Sequence, residues 1–163
     1  MASNSTSTHL KVVIGEAVIA SSAATLSIAA FEVPVWAMFV GWISFFTRGL
    51  NLKQGVINLV CVLIGFSLGM GAAYAMTILT PLLGSYAISA VVFVVTGIAL
   101  SLAKAPMFNN LLGFFLGLVA YFASHQPPSL STFTMLTVAA TLGATAACLA
   151  HALQMHIRRH AVI

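Results

Sequence analysis

Residues 56–80 read VINLVCVLIGFSLGMGAAYAMTILT, an uninterrupted apolar run that contains no Asp, Glu, Lys or Arg. As an α-helix this run would be about 37 Å long, which is enough to cross the roughly 30 Å hydrocarbon core of a bilayer. Five further apolar segments flank it, and the six together cover residues 12–31, 34–47, 56–80, 86–103, 108–123 and 131–154. Their apolar runs are continuous rather than alternating, so helices are predicted and a barrel is not.

The whole chain has the composition of a membrane protein. Of its 163 residues, 61% are hydrophobic and 5% are charged, and the mean hydropathy is +1.09. A soluble domain carries about 25% charged residues, so a soluble fold is excluded. The net charge of +4 does not indicate nucleic-acid binding, because the basic residues are scattered singly. We expect one membrane domain over residues 1–163, with a polar N-terminal tail (1–10) and a flexible basic cytoplasmic tail (155–163).

The basic residues predict the orientation of the chain. If all six segments cross the membrane, every Lys and Arg falls on one side: Lys11, Arg48, Lys53, Lys104, Arg158 and Arg159. Basic loops remain in the cytoplasm, which predicts a multi-pass protein with both termini cytoplasmic. Segments 34–47 and 108–123 are short enough to be re-entrant, but re-entrant segments would distribute the bases over both sides. The residues before the first segment lack the basic region of a signal peptide, so that segment is expected to be retained.

The two halves of the chain resemble one another. Residues 26–29 match 100–103, residues 38–46 match 114–122, and Gly69 aligns with Gly143. The alternative is that any two apolar helices look alike in composition. Three segments in each half make the halves, 12–80 and 86–154, an inverted repeat of three transmembrane helices each, and such repeats place solute sites where the halves meet. Pro34 and Pro106 precede the two short segments at similar positions.

Three motifs carry a family resemblance: residues 34–37 (PVWA), the basic turn 48–55 (RGLNLKQG) and the pattern Gly65-x-x-x-Gly69. Together they resemble the small bacterial inner-membrane proteins of domain-of-unknown-function family 1097, and the resemblance covers most of the chain. More distantly, they are similar to the membrane half of the fusaric-acid-resistance and aromatic-acid-exporter superfamily. That similarity implies passage of organic anions through a six-helix unit that usually dimerises. The sequence departs from the larger exporters at Asn58 and Cys61-Val62, and it lacks their soluble domain.

Several polar and aromatic residues inside the segments are candidates for binding a solute. A buried amide must find a hydrogen-bond partner, and a threonine stripe on the sixth segment can either line a polar path or bond its own helix. Two tryptophans on the second segment can wall a pore, anchor at the interfaces or pack in the core. The candidate solute-binding residues are Trp36, Trp42, Asn58, Asn109, Asn110, Thr137 and Thr141.

Two other sets of residues suggest ion coupling and helix packing. Glu16 lies inside the first segment, where a carboxylate either couples to a proton or cation or reaches the headgroups. Small-xxx-small pairs let helix backbones approach, within one chain or between subunits. The candidate packing residues are Gly65, Gly69, Gly113 and Gly117.

No known catalytic or metal-ligand pattern occurs in the sequence, so we expect no enzyme, cofactor or metal site. Cys61 and Cys148 lie in apolar runs and predict no disulfide. We interpret the chain as a small transporter, exporter or channel-like protein for a neutral or anionic organic solute, forming a homo-oligomer in contact with membrane lipid. The alternative is a structural or regulatory subunit of a larger membrane complex.

Overall fold

The computed structural model describes residues 2–160, and the regular structure in this part of the chain is helical throughout. Six α-helices follow one another, with a 3-10 turn at Gly84–Tyr86: α1 (Ala2–Ala29), α2 (Val35–Phe46), α3 (Leu52–Leu83), α4 (Ala87–Leu102), α5 (Leu111–Ala123) and α6 (Leu130–His160). Three described stretches are long and apolar enough to cross a membrane, namely Thr6–Ala29, Leu52–Leu102 and Leu130–His160. The predicted all-helical class is confirmed, and the apolar helices are those of a membrane protein.

Three helices extend beyond the segments predicted for them. α1 begins at Ala2, so the predicted polar tail is helical where it is described. α6 continues to His160, so the expected flexible basic tail is a helix over residues 155–160, and residues 161–163 lie outside the described residues. α3 continues past Pro81 to Leu83. A helix satisfies its own backbone groups in any solvent, so it need not end where the apolar residues end.

α4 folds back along α3. Gly84 ends α3 with a positive φ of 54°, a conformation that glycine adopts without a steric penalty. Val91 packs near Ala72, and Ala99 packs near Cys61, so rising numbers on α4 meet falling numbers on α3. The long stretch Leu52–Leu102 is therefore a pair of antiparallel helices.

α5 packs closely against α3 and runs parallel to it. A Cβ at Gly117 would overlap the carbonyl oxygen of Val62, and a Cβ at Gly65 would overlap that of Phe114. Only glycine permits backbones to approach this closely. The other two candidate packing glycines extend the same contact, Gly113 against Cys61 and Gly69 against Tyr121. All four therefore lie between helices of one chain.

α2 packs on α6 in the same way. A Cβ at Gly41 would overlap the carbonyl oxygen of Ala140, and a Cβ at Gly143 would overlap that of Met38. Further along both helices, the rings of Phe45 and His151 lie 6.0 Å apart. Residues later in α2 contact residues later in α6, so α2 and α6 are parallel.

α1 completes the group around α6 and runs antiparallel to it. Midway along α1 a Cβ at Gly15 would lie 2.7 Å from a methyl carbon of Leu153, and further on Ala23 packs with Ala146. The close packing thus makes a first bundle (α1, α2, α6) and a second bundle (α3, α4, α5). Each half of the chain, 12–80 and 86–154, therefore contributes its long third helix to the other bundle: α3 packs with α4 and α5, and α6 packs with α1 and α2.

The two bundles meet in a central apolar core. Its buried residues come from α2, α3, α5 and α6 and include Ala37, Val62, Phe66, Tyr121 and Leu136. The helix directions bring the start of α1, the end of α2, the start of α3, and the ends of α4 and α6 to one end of the molecule. We call it the basic end, because it carries Lys11, Arg48, Lys53, Lys104, Arg158 and Arg159.

Candidate functional site

Two buried amides meet between the bundles at the basic end. Asn58 on α3 is fully buried and Asn110 before α5 is 4% exposed. The Asn110 Nδ2 donates to the Asn58 Oδ1 at 2.8 Å and to the Thr47 Oγ1 at 2.7 Å. The Asn58 Nδ2 in turn donates to the carbonyl oxygen of Arg48 at 2.8 Å. Both buried amides therefore have the hydrogen-bond partners that burial requires.

Asn110 also begins α5. Its Oδ1 accepts a hydrogen bond of 3.0 Å from the backbone N–H of Gly113, which is the usual bond of a helix N-cap. Pro106 and the irregular residues before α5 keep the chain out of the helix until this cap is reached. The same side chain thus starts α5 and binds both Thr47, which follows α2, and Asn58, which lies within α3.

Arg48 lies at the end of α2, in the turn that leads to α3. Its Nε and Nη2 both donate to the Oε1 of Gln54, at 3.2 and 2.9 Å. Its Nη1 is buried and has no hydrogen-bond partner. No carboxylate accompanies it, because the only acids of the chain are Glu16 on α1 and Glu32 at the opposite end. Arg48 as a whole is half-buried, but a buried donor without a partner is costly, so Nη1 is suited to an anion supplied from outside.

We call these residues the amide cluster: Thr47, Arg48, Gln54, Asn58 and Asn110. Thr47 and Arg48 follow α2 of the first bundle, whereas the other three belong to α3 or precede α5 of the second. The hydrogen bonds Asn110–Thr47 and Asn58–Arg48 therefore tie the bundles together at the basic end.

The remaining candidate solute-binding residues do not join the amide cluster. Trp36 is 40% exposed at the other end of α2, and Trp42 is partly buried with its ring 6.5 Å from that of Phe39. Asn109 is exposed although its neighbour Asn110 is buried. The structure thus brings together only two of the seven predicted residues, Asn58 and Asn110.

The threonine stripe faces outward from α6. The Thr141 and Thr145 hydroxyls donate to the carbonyl oxygens one turn earlier on their own helix, at 2.7 and 2.8 Å. Thr137 is partly buried and its Oγ1 has no hydrogen-bond partner. The geometry of Thr141 and Thr145 is that of the alternative in which threonine bonds its own helix.

Glu16 is half-buried on α1, close to Gly15, which contacts Leu153 of α6. No ion pair involves it among the described residues. It lies near the basic end rather than in the central core, so the carboxylate is not near the contact between the bundles.

Thr141 lies instead in an apolar groove between α2, α3 and α6. We call this space of about 380 Å³ the inter-bundle groove. Its walls include Phe45 of α2, Gly55 of α3, and Ala144 and Cys148 of α6. Both cysteines, Cys61 and Cys148, are free thiols.

Arg48, Thr47 and Gln54 were not predicted from the sequence as members of a site. Arg48 and Gln54 entered only through the orientation of the chain and the family motif at residues 48–55, although a Gln shortly after an Arg across a tight turn is within reach of its guanidinium. Within the part of the chain that the structure describes, no group of three His, Cys, Asp or Glu side chains could hold a metal ion.

Comparison with curated proteins finds no match to this chain. Comparison with solved structures finds none either. The distant similarity to the fusaric-acid-resistance superfamily therefore stays a prediction. One family model, described as "Protein of unknown function (DUF1097)", matches residues 13–151, which is most of the chain. The protein belongs to the DUF1097 family, as the motifs at residues 34–37, 48–55 and 65–69 had indicated.

Proposed function

We propose that the protein is a six-crossing inner-membrane transporter built from two inverted three-helix repeats, α1–α3 and α4–α6. The packing of the helices supports this arrangement. α2 runs parallel to α6 and α5 runs parallel to α3, while α1 and α4 run antiparallel to α6 and α3. If α1, α2 and α3 are matched with α4, α5 and α6, the pair α2–α6 matches α5–α3 and the pair α1–α6 matches α4–α3. Matched helices run in opposite directions, which is the relation between inverted repeats.

Matching residues in the tightest backbone contacts support the same proposal. The alignment of residues 38–46 with 114–122 pairs Gly41 with Gly117 and Met38 with Phe114. An alignment with a slightly longer offset pairs Gly65 with Gly143 and Val62 with Ala140. At each of these four glycines a Cβ would overlap a backbone oxygen of the partner helix. The oxygens are those of Ala140 for Gly41, Val62 for Gly117, Phe114 for Gly65 and Met38 for Gly143, so the two alignments pair the oxygens as well as the glycines. These contacts favour Gly65, one helical turn before Gly69, as the counterpart of Gly143.

The turns after α2 and α5 add a further correspondence. Gly49 and His125 are paired by the same alignment as Gly41 and Gly117, and both have positive φ angles, 64° and 52°. Shortly after them, the side chains of Asn51 and Ser129 each accept a hydrogen bond from the backbone N–H three positions ahead. Such local backbone geometry is independent of the apolar composition that makes helices look alike.

The proposed orientation places the basic end in the cytoplasm. All six Lys and Arg residues lie there, as the positive-inside rule requires, and both termini are then cytoplasmic. α2 and α5 have 12 and 13 residues, about 18–20 Å, and cross together with their irregular flanking residues. Such backbone is tolerated at membrane depth where protein surrounds it.

A single observation supports a small organic anion as the solute: the buried Nη1 of Arg48 has neither a hydrogen-bond partner nor a nearby carboxylate. A carboxylate entering the amide cluster would accept a charge-assisted hydrogen bond from it. Hydrogen bonds to charged groups contribute about 1.5–3 kcal/mol, so the cluster would prefer an anion to a neutral analogue by roughly 10- to 100-fold. The proposal assigns no catalytic step to the protein.

Opening would occur by separation of the two bundles at the basic end. The bonds Asn110–Thr47 and Asn58–Arg48 would break, and the amide cluster would face the cytoplasm. The central apolar core around Phe66 and Leu136 would then close the opposite side. Inverted repeats that rock around a fixed site give alternating access of this kind. We also propose that the exposed apolar faces of α1 and α4 contact lipid or a second subunit.

Flux into proteoliposomes tests the proposal. We expect the purified protein to move small carboxylates faster than their amides. Arg48→Gln should reduce carboxylate flux at least about tenfold, whereas Lys104→Gln, at the same end of the molecule but outside the cluster, should not. Absence of flux for every solute with folded protein would refute transport. If other proteins then co-purified with it in fixed ratio, the subunit interpretation would replace it.

A further inference from the structure

The inter-bundle groove lies in the half of the molecule nearer the basic end and opens to the outside. Leu52 and Leu149 stand at its mouth and are 70% and 59% exposed. Its floor is Phe45, against which a Cβ at Gly55 would lie only 2.8 Å from a ring carbon. The groove is therefore a lateral slot that faces the bilayer in a membrane-embedded protein.

The corresponding region of the other half is filled by large side chains. In the alignment that pairs Gly65 of α3 with Gly143 of α6, Gly55 corresponds to Phe133, Ala144 to Phe66 and Cys148 to Met70. All three larger residues pack in or against the central core. The groove thus results from small residues at particular positions, because the same helix pairing is filled elsewhere.

The dimensions of the groove suit a hydrocarbon chain. From Thr141 to Leu149 its α6 wall rises about 12 Å, close to the roughly 15 Å depth of one leaflet. Its volume of about 380 Å³ lies within the range of ligand pockets, ~300–1,000 Å³. Apart from two threonines that bond their own helix, its walls are apolar, so they offer nothing to a polar ligand.

Basic side chains lie beyond the mouth of the groove. Lys53 is exposed directly after Leu52, and Arg159 is exposed on the α6 face that carries Thr141, Thr145 and Cys148. Neither acid of the chain is on α3 or α6. The charged side chains that α3 and α6 carry beyond the mouth are therefore all positive, which complements a phosphate at headgroup depth.

We infer that the inter-bundle groove binds one acyl chain of an anionic phospholipid from the leaflet at the basic end, with its phosphate between Lys53 and Arg159. The bound chain would fill the contact between the bundles that Phe66, Met70 and Phe133 fill on the other side. This inference depends on the membrane location of the protein and not on transport.

Native mass spectrometry of the detergent-purified full chain tests the inference. The probes are phosphatidylglycerol and phosphatidylcholine of equal chain length. We expect one phosphatidylglycerol to bind at least about tenfold more tightly than phosphatidylcholine, with each surface charge near a headgroup contributing about 1 kcal/mol. Ala144→Phe and the milder Cys148→Met, which copy the filled half, should weaken this binding at least about tenfold. Ile98→Phe places the same aromatic ring at an exposed position of α4 and should leave the binding unchanged.

The charged part of the site is tested separately. Lys53→Gln with Arg159→Gln should remove the preference for phosphatidylglycerol while one lipid still binds, and Lys104→Gln should not. Unchanged lipid binding in the folded Cys148→Met and Ala144→Phe proteins would overturn the inference. The inference would also be overturned if those variants converted a dimer to a monomer and left lipid binding unchanged. That result would mean that a second copy of the chain occupies the groove.

Discussion

Replacing Asn110 by alanine would remove three hydrogen bonds at the point where the bundles are tied together. The Asn110 side chain donates to Thr47 and Asn58, and it accepts from the N–H of Gly113. The alanine variant leaves the Asn58 Oδ1 without its donor in a fully buried position. It also leaves the first turn of α5 without its cap.

The expected loss of stability follows from these groups. Loss of an N-cap costs about 1 kcal/mol. A buried acceptor left without a partner costs about 1–3 kcal/mol, and hydrogen bonds between membrane helices lie toward the low end, near 0.6 kcal/mol on average. Thr47 keeps its bond to the carbonyl oxygen of Ser44, so it adds little. We expect Asn110→Ala to lower the free energy of unfolding by about 1.5–4 kcal/mol in total.

Unfolding in mixed micelles by added SDS, followed by circular dichroism, measures this change. Asn109→Ala is the matched control, because Asn109 is the adjacent residue with the same side chain in an exposed position. We expect that control to change stability by less than about 0.5 kcal/mol. The double variant Asn58→Ala, Asn110→Ala should cost less than the sum of the single variants, with a coupling of about 0.5–3 kcal/mol. Equal effects of Asn109→Ala and Asn110→Ala, or strict additivity, would refute the described cluster.

Two further predictions concern packing and orientation. Gly117→Leu should destabilise the protein by more than about 3 kcal/mol, because a Cβ there already overlaps the Val62 carbonyl oxygen. The control Gly97→Leu should not, because nothing lies within 4 Å of a Cβ at Gly97, and thermal unfolding in detergent compares the two variants. The orientation is tested with single cysteines in a background in which Cys61 and Cys148 are replaced by alanine. A cysteine at position 48 or 104 should react with a membrane-impermeant maleimide only after the inner membrane is permeabilised, while one at position 86 should react in intact spheroplasts. Reaction at positions 48 and 104 from opposite sides would contradict the orientation.

Much of the helical architecture could be predicted from apolar segment length alone. Each of the six predicted segments overlaps one of the six α-helices, including the two short ones, because a continuous apolar run in lipid satisfies its own backbone groups as a helix. The ends were less predictable. Polar residues 2–10 continue α1, and Pro81 lies inside α3, because helix ends depend on caps and packing as well as on hydropathy.

The pairing of distant helices was not predictable from the sequence. Gly65 and Gly117 were identified as packing residues, but nothing in the pattern says which glycine faces which helix. The parallel contacts of α2 with α6 and of α5 with α3 depend on complementary backbone surfaces that are far apart in sequence.

The candidate site was predicted in part for a comparable reason. The rule that a buried amide must have a partner pointed to Asn58, Asn109 and Asn110; Asn58 and Asn110 are buried and bonded to each other, whereas Asn109 is exposed. Arg48 was missed because a basic residue in a loop is expected to remain in water, whereas the turn that places it against Gln54 leaves it half-buried.

The exchange of α3 and α6 between the bundles has a consequence for biosynthesis. When the first three helices leave the ribosome, α2 has no surface on which to seat Gly41, because its partner α6 is the last helix to be made. The close contacts of α1 and α2 with α6 can therefore form only when nearly the whole polypeptide has been translated. High contact order of this kind slows folding and delays the cooperative step to the end of synthesis.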